Sequence, residues 1–277
     1  MTHQNTKTFS SIGDVLQEKI IEVDQFCEIH NIKLVTAFGK EPLCVNCQKE
    51  KSDKKHQEYV EKARDDYERR KTHSWLYHNS IFLDETLKQA TFETYTTPDK
   101  ETADNKEMAL QIGREYYFDK NYNTILTGKA GTGKSHLAMS ILHAVNENSK
   151  PYKRCLFVSL DELMRRIKDS FNNKQSLYTE QRMIDLLTKA DLLVLDDLGA
   201  ETGAITTDKT ATDFTTKILY AVINGRMNKP TIITTNLTSN DMKNMYDSKL
   251  VSRMFRGAKG HVIAFKETND KRINIEF

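Results

Sequence analysis

The chain has 277 residues, enough for one large domain with its own core and a smaller domain beside it. Its 41 basic and 39 acidic residues leave a net charge of +2, so any binding to nucleic acid must come from local basic patches. The N-terminus lacks the basic and apolar regions of a signal peptide, and no window approaches the roughly eighteen apolar residues of a membrane helix. We therefore expect a cytoplasmic protein with no membrane partner.

The first region, residues 1–50, combines spaced apolar residues with a cluster of cysteine and histidine. The spacing predicts an amphipathic helix near its start, with apolar side chains at Val15, Leu16, Ile20 and Val23. Two close pairs of metal-ligand residues follow, separated by a short loop, which is typical of tetrahedral Zn²⁺. Those residues are Cys27, His30, Cys44 and Cys47. Because so small a module buries little surface, we interpret the site as a structural zinc centre; the alternative is buried cysteines without a metal.

Residues 51–80 are dominated by charged side chains and contain neither Gly nor Pro. We predict a charged helical linker there, stabilised by pairs of opposite charge four residues apart, such as Glu58 and Lys62. From residue 81 to residue 277, short apolar runs alternate with stretches of helical character. The runs that predict strands are NTILTG, CLFVSL, LLVLDD, TIITTN and HVIAF. This alternation is typical of an α/β domain with a parallel sheet and crossover helices.

Residues 128–135 match the phosphate-binding pattern G-x-x-x-x-G-K-[ST], with a predicted strand before them and a predicted helix after them. The candidate nucleotide-binding residues are Gly128, Lys129, Ala130, Gly131, Thr132, Gly133, Lys134, Ser135 and, directly after the pattern, His136. The glycines let backbone N–H groups surround a β-phosphate at the helix N-terminus. We expect Lys134 to contact the β- and γ-phosphates and Ser135 to bind Mg²⁺. The pattern therefore predicts binding of ATP with magnesium.

Two adjacent acids, Asp196 and Asp197, follow one buried predicted strand, and Asn236 follows another. Parallel strands present their carboxyl ends at the edge of the sheet where ligands bind. We predict that Asp196 holds Mg²⁺ together with Ser135, and that Asp197 orients or deprotonates the attacking water. The alternatives are a capping or loop role for Asp197 and a turn that begins at Asn236.

In this order, the motifs resemble those of AAA+ ATPases, and more specifically those of helicase loaders of the DnaC/DnaI type and their transposition relatives of the IstB type. The resembling stretches are GKAGTGKSHLA, LLVLDDLGAE, LYAVINGRMNKPTIITTNL and KLVSRMFRGA, within roughly residues 90–277. The resemblance implies an AAA+ P-loop core with a parallel sheet, without a full C-terminal lid, plus a small N-terminal zinc-binding domain. It also implies self-assembly into an oligomer with ATP.

The resemblance further implies catalytic roles outside the phosphate loop. Asn236 takes the position of the first sensor of the γ-phosphate, and Arg272 takes that of the second sensor. Arg253 takes the position of the arginine finger, which stabilises charge on the γ-phosphate of a neighbouring protomer. Arg256 lies three residues later on the same helix face and is the alternative finger.

The implied function is an ATP-dependent loader whose zinc domain binds a hexameric replicative helicase and whose AAA+ domain holds single-stranded DNA. The DNA contacts would come from a basic helix, with a merely solvated helix face as the alternative. The basic residues are Arg165, Arg166 and Lys168. Because Asp197 is shorter than the glutamate of many ATP-driven motors, we expect slow hydrolysis and a long-lived ATP state. Two alternatives stay open: a transposition helper ATPase that binds duplex DNA, for which no zinc domain is expected, and a helicase-binding adaptor with negligible hydrolysis.

Overall fold

The computed structural model describes residues 20–37, 39–173, 175–200 and 212–271. The chain divides into two compact units, Met1–Tyr67 and Glu68–Phe277. Each unit has a sheet of its own. Within the described ranges, no helix is both long and apolar enough to cross a lipid bilayer.

The first unit contains a two-stranded antiparallel sheet, formed by β1 (Ile20–Phe26) and β2 (Lys33–Ala37). The long helix α1 (Val45–Asn79) begins in this unit and includes the charged segment predicted to be helical. Leu76 is the one buried residue of α1. The rest of the helix is exposed or half-buried, which suits its charged composition.

The amphipathic helix predicted near the start of the chain is wrong at Ile20 and Val23, because both residues lie in β1. The other two apolar positions, Val15 and Leu16, lie outside the described residues. β-Branched side chains are frequent in this segment and favour an extended strand. Pairing with β2, in which Ile20 lies opposite Ala37, stabilises the strand further.

The second unit is built on a five-stranded sheet in the order β4-β5-β6-β3-β7, with every pair of neighbours parallel. Each predicted apolar run contains one of these strands, so the predicted parallel α/β sheet is confirmed. The strands are β3 (Thr124–Gly128), β4 (Cys155–Ser159), β5 (Leu192–Leu198), β6 (Thr231–Thr235) and β7 (Val262–Phe265).

Helices cover both faces of this sheet. They are α2 (Lys100–Tyr117), α3 (Lys134–Asn148), α4 (Leu160–Asp169), α5 (Glu180–Lys189), α6 (Asp213–Gly225), α7 (Ser239–Met245) and α8 (Ser248–Met254), with 3₁₀ turns at Glu85–Gln89 and Ser170–Asn172. Successive side chains of a strand point to opposite faces. Accordingly Leu193 and Leu195 belong to one buried cluster, while Leu192 and Val194 belong to the other. Both faces are apolar, which explains why β5 reads as a continuous apolar run.

The strand order brings three functional segments to one edge of the sheet. β6 lies between β5 and β3, so the residues after all three strands are neighbours. In register, Thr127 lies beside Thr235, and Leu198 lies on the other side of Thr235. The phosphate-loop pattern, the acid pair and Asn236 therefore meet at the carboxyl edge, where open parallel sheets bind ligands.

Candidate functional site

The phosphate loop joins β3 to α3 through a tight backbone path. Gly133 precedes α3 with φ of 99°, in the left-handed region, and a Cβ there would approach the Tyr95 ring to 2.8 Å. Glycine is therefore required at this position for both conformation and space. The helix has no acidic residue in its first turn, so its N-terminus keeps the positive potential that favours an anion.

A cavity of about 450 Å³ opens over this loop. Its floor is formed by the loop, and its walls by the segments that end at the same edge of the sheet. The lining residues are Asp84, Thr86, Leu87, Thr94, Tyr95, Thr96, Ala130, Gly131, Gly133, Lys134, Ser135, His136, Asp197, Asn236 and Lys271. The volume lies within the range of small-ligand sites, and the lining is largely polar.

Lys134 and Asn236 are brought together as the sequence predicts. The Lys134 ammonium donates to the carbonyl oxygens of Gly128 and Lys129, at 2.9 and 2.6 Å, and to Asn236 Oδ1 at 2.7 Å. Lys134 is buried although it carries a charge. These neutral acceptors hold the ammonium at the point where the loop, β3 and β6 meet.

Asp196 and Ser135 also meet. Asp196 is buried, and its Oδ1 accepts a hydrogen bond from Thr234 Oγ1 at 2.7 Å. Burial raises the pKa of Asp196 to about 6, and the charge of Asp197 adds to this, while hydrogen bonds from Thr234 and Ser135 oppose it. The half-buried Ser135 hydroxyl and the buried Asp196 carboxylate form an oxygen donor set that fits Mg²⁺.

Asp197 lies in a bulge between β5 and β6, where the pairing shifts between Leu195 and Leu198. Its φ is 62°, a left-handed conformation that aspartate and asparagine tolerate better than most residues. Its backbone N–H donates to Thr234 Oγ1 at 2.8 Å, and Asn236 Nδ2 lies 3.5 Å from its Oδ1. The bulge brings Asp197 to the wall of the cavity, while its neighbour Asp196 stays in the sheet.

Thr234 is a site residue that the sequence analysis missed. Its hydroxyl accepts from the backbone of Asp197 and donates to the carboxylate of Asp196, and it is fully buried. The available signal was a polar residue inside a predicted strand, directly after Ile232 and Ile233. The next residue, Thr235, differs because its hydroxyl donates to the Leu198 carbonyl at 2.7 Å.

Lys271, on the far wall of the cavity, is another site residue that the sequence did not predict. The Lys271 ammonium lies 4.0 Å from the centre of the Tyr95 ring and donates to the Thr96 carbonyl at 2.8 Å. His136 contacts this wall, with Nε2 at 2.9 Å from the Thr91 carbonyl oxygen, and burial lowers its pKa. Arg272, predicted as a sensor, lies outside the described residues.

The two candidate finger residues have different surroundings, and neither lines the cavity. The Arg253 guanidinium lies over the Tyr220 ring, with Cζ at 4.7 Å from the ring centre. The Arg256 guanidinium instead donates to Asn121 Oδ1 at 2.9 Å and to the Lys229 carbonyl at 3.3 Å.

The basic residues predicted to bind DNA lie on α4. Arg165 and Arg166 both donate to the buried carboxylate of Glu162, at 2.7 and 2.6 Å. Arg166 also donates to the Tyr178 hydroxyl at 2.8 Å, whereas Lys168 is exposed. Part of the positive charge of this helix is therefore compensated within α4.

In the first unit, the four predicted metal ligands converge. Their ligand atoms all lie within 4.8 Å of one another. His30 Nδ1 lies 3.3 Å from Cys47 Sγ, 3.6 Å from Cys44 Sγ and 3.7 Å from Cys27 Sγ. Tetrahedral zinc with ordinary Zn–S and Zn–N bonds spaces its ligand atoms by roughly 3.5–3.8 Å. The donor set and its spacing therefore fit Zn²⁺.

The second nitrogen of the His30 ring is also engaged. Nε2 lies 2.9 Å from Oε1 of Glu50, in the second turn of α1. A carboxylate that accepts from the outer nitrogen fixes the ring orientation and leaves Nδ1 facing the thiols. Hydrogen bonding to the His30 backbone lowers the pKa of the Cys27 thiol to about 6, which favours the thiolate that binds metal.

Together, the sheet order, the phosphate loop and the acids define a P-loop nucleotide-binding protein with an AAA+ core. The chain belongs to the family described as IstB-like ATP binding protein, whose profile matches residues 42–263. The predicted membership of this superfamily is thus confirmed.

Individual relatives agree with this assignment. The chain is 30% identical over 154 residues to the "Replicative helicase loader DnaC" of Escherichia coli K12, which covers 54% of this chain and 58% of that protein. The chain thus spans little more than half the length of this curated relative. A crystal structure of the DnaC helicase loader superposes with a TM-score of 0.52 at 23% identity, over 66% of this chain and 100% of that one. A crystal structure of DnaI gives 0.52 at 21%, over 68% and 96%.

Proposed function

We propose that this protein is an ATP-controlled helicase loader: it binds a replicative helicase hexamer and places it on single-stranded DNA. The observation that carries the proposal is a cavity over the phosphate loop in a chain whose separate first unit brings together four Cys/His side chains with a spacing that fits zinc. Similarity to a replicative helicase loader supports it. The zinc unit is the proposed docking module, and cytoplasmic location follows from this role.

In this mechanism, the residues at the carboxyl edge of the sheet have separate roles in the binding and hydrolysis of ATP. The Lys134 ammonium exchanges its carbonyl acceptors for β- and γ-phosphate oxygens. Ser135 and Asp196 would hold Mg²⁺, which would neutralise phosphate charge at this position. Asp197 orients the attacking water, and Asn236 links that water to the γ-phosphate side through its contacts with both Asp197 and Lys134.

Hydrolysis is proposed to be slow and to depend on assembly. The left-handed conformation at Asp197 suits a short side chain, which keeps its carboxylate close to the bulge instead of extending it toward the water. Single-turnover measurements on the isolated protein should show ATP persisting well beyond the time of binding. Rapid steady turnover by the isolated protein would contradict the proposal that hydrolysis is slow and depends on assembly.

Single-strand binding is proposed to use Lys168 and those donors of Arg165 and Arg166 that are not engaged by Glu162. Phosphate contacts make affinity fall with salt. Lys168→Ala should reduce the slope of log affinity against log salt by about one unit, as expected for one lost phosphate contact. A slope equal to that of wild type would remove Lys168 from the interface.

The test of the whole proposal is native mass spectrometry of the full chain with a replicative helicase hexamer, in ATP and in ADP. We expect a mixed assembly that the double change Cys44→Ser and Cys47→Ser abolishes. Cys155→Ala is the matched control, because this thiol is buried in β4 and belongs to the second unit. Assembly that survives loss of the zinc ligands would contradict docking through the first unit.

A second function is favoured by the family itself, which is described as IstB-like. A transposition helper would assemble on duplex DNA with ATP. Electron microscopy of the protein with duplex DNA and ATP distinguishes the two functions. Filaments on duplex DNA, together with no helicase complex, would favour the helper; a helicase complex that forms whatever nucleotide is bound would favour a binding adaptor.

A further inference from the structure

Arg253 lies in the last turn of α8, and the contacts of its guanidinium are unusual for a partly buried cation. Its Cζ lies over the ring of Tyr220 on α6, and the Tyr220 hydroxyl hydrogen-bonds with Arg253 and Asn224, which lowers the pKa of Tyr220. No carboxylate pairs with Arg253 among the described residues. Its Nη1 is buried and has no hydrogen-bond partner in the same part of the chain.

This arrangement leaves the guanidinium charge uncompensated by any carboxylate among the described residues. A salt bridge would use the planar fork of N–H donors and cancel the charge, whereas an aromatic face supports the cation and leaves donors in its plane free. Arg256 shows the contrast, because its donors are taken by oxygen atoms of Asn121 and Lys229. Of the two candidate fingers, Arg253 therefore has the guanidinium suited to insertion.

The backbone that carries Arg253 is fixed as well. Asn123 Nδ2 donates to the carbonyl oxygens of Arg253 and Met254, both at 3.1 Å. Asn123 Oδ1 accepts from the backbone of Thr231 at 3.1 Å, and Asn123 itself is buried directly before β3. The end of α8 is thus tied to the starts of β3 and β6, the two strands that lead to the phosphate loop and to Asn236.

We infer that Tyr220 is a positioning residue for an arginine finger: it holds the Arg253 guanidinium in the orientation in which a second copy of this chain receives it at its γ-phosphate. The inference rests on the proposed function, since it requires assembly with ATP. Tyr220 does not line the cavity over the phosphate loop, and its proposed role is exerted through Arg253. Its ring provides the main support for the cation, and its hydroxyl adds a hydrogen bond to the guanidinium.

The experiment mixes variants of the full chain and measures ATP hydrolysis. Tyr220→Ala keeps its own nucleotide site but loses support for the finger, so we expect kcat to fall about tenfold or more with KM little changed. Tyr220→Phe keeps the ring and should retain most of the rate. Tyr117→Ala is the matched control, because Tyr117 is a partly exposed tyrosine on α2 whose ring contacts Phe118.

The second arm supplies an intact finger in trans. Asp197→Asn removes the charge at the water-orienting position yet suits the left-handed backbone there, so this variant lacks hydrolysis but keeps Tyr220 and Arg253. Mixed with Tyr220→Ala, it should restore hydrolysis above that of either variant alone. A defect caused by misfolding of Tyr220→Ala would not be restored by mixing.

The outcomes separate the inference from the function on which it rests. If Arg253→Ala is inactive while Tyr220→Ala keeps the wild-type rate, Arg253 can still be the arginine finger, but the positioning role of Tyr220 is wrong. The positioning role is also wrong if the mixture does not restore the rate lost in Tyr220→Ala. If Arg253→Ala itself hydrolyses ATP at the wild-type rate, the trans finger fails, and the positioning role fails with it. Restoration in the mixture together with activity of Tyr220→Phe supports both.

Discussion

The two units of this molecule hold their sites by opposite means. In the second unit, the two acids, Thr234 and Asn236 lie within or directly after strands buried on both faces, so a large apolar core sets the geometry of the nucleotide site. In the first unit, Cys44 is the only fully buried side chain among the described residues up to Tyr67. Ile20, Ile21 and Phe26 stay largely exposed. The geometry of the nucleotide site is set by its fold, whereas we expect zinc bound at the Cys/His cluster to stabilise the fold of the first unit.

The strongest way to break this comparison is to remove the metal. Chelation, or Cys44→Ser, should unfold the first unit and leave the second one folded, because structural zinc contributes on the order of 10 kcal/mol to modules of this kind. Hydrogen exchange of the full chain would report both units separately. Protection of β1 and β2 that survives metal removal would mean that the first unit has a stable core of its own.

The next largest effect is expected from the nucleotide site, where loss of function should leave the fold intact. Lys134→Ala removes the ammonium that we propose contacts phosphate. A hydrogen bond to a charged group is worth about 1.5–3 kcal/mol, so ATP affinity should fall about 10- to 100-fold. Calorimetric titration with ATP and magnesium measures this. Lys259→Ala, at an exposed side chain that does not line the cavity, should keep affinity near that of wild type.

Features with a local signal could be predicted from the sequence, whereas features that depend on distant residues could not. The strands of the second unit and the phosphate loop were predictable because their signals are local: apolar runs of strand length and a fixed glycine spacing. The convergence of the four Cys/His side chains was predictable for the same reason. The bulge at Asp197, the bridge through Thr234 and the packing of Lys271 on Tyr95 were not, since each depends on residues far apart in the chain.

The first unit also shows how a local pattern misleads. Ile20 and Val23 fit a helical spacing with Val15 and Leu16, yet β1 forms because it can pair with β2. Conversely, the ion pairs of Arg165 and Arg166 with Glu162 follow from helical spacings of three and four residues.

A smaller and more selective effect is expected from the bridge between the two acids. Thr234→Val keeps the shape of the side chain but removes the hydroxyl that accepts from Asp197 and donates to Asp196. We expect the hydrolysis rate to fall about tenfold with ATP affinity nearly unchanged, and the free energy of unfolding to fall by about 1–3 kcal/mol. Thr235→Val loses a hydroxyl bonded to the Leu198 carbonyl and should lower stability without the same loss of rate. Equal losses of rate in both variants would assign the defect to the strand and not to the acids.

The smallest effect is expected from a change at Glu50. This prediction sharpens the comparison because it tests whether the first unit orients His30 before a metal binds. Glu50 accepts from the outer nitrogen of His30, but its side chain is 68% exposed, so water competes for this bond. Loss of such a carboxylate lowers metal affinity by about 10- to 100-fold in well-enclosed sites, and we expect the lower end here. Competition with a zinc chelator compares Glu50→Ala with wild type; Glu58→Ala, eight residues further along α1, is the control. If Glu50→Ala binds zinc as tightly as wild type, the ring of His30 is oriented by the metal and the thiolates alone, and the first unit owes its order wholly to the ion.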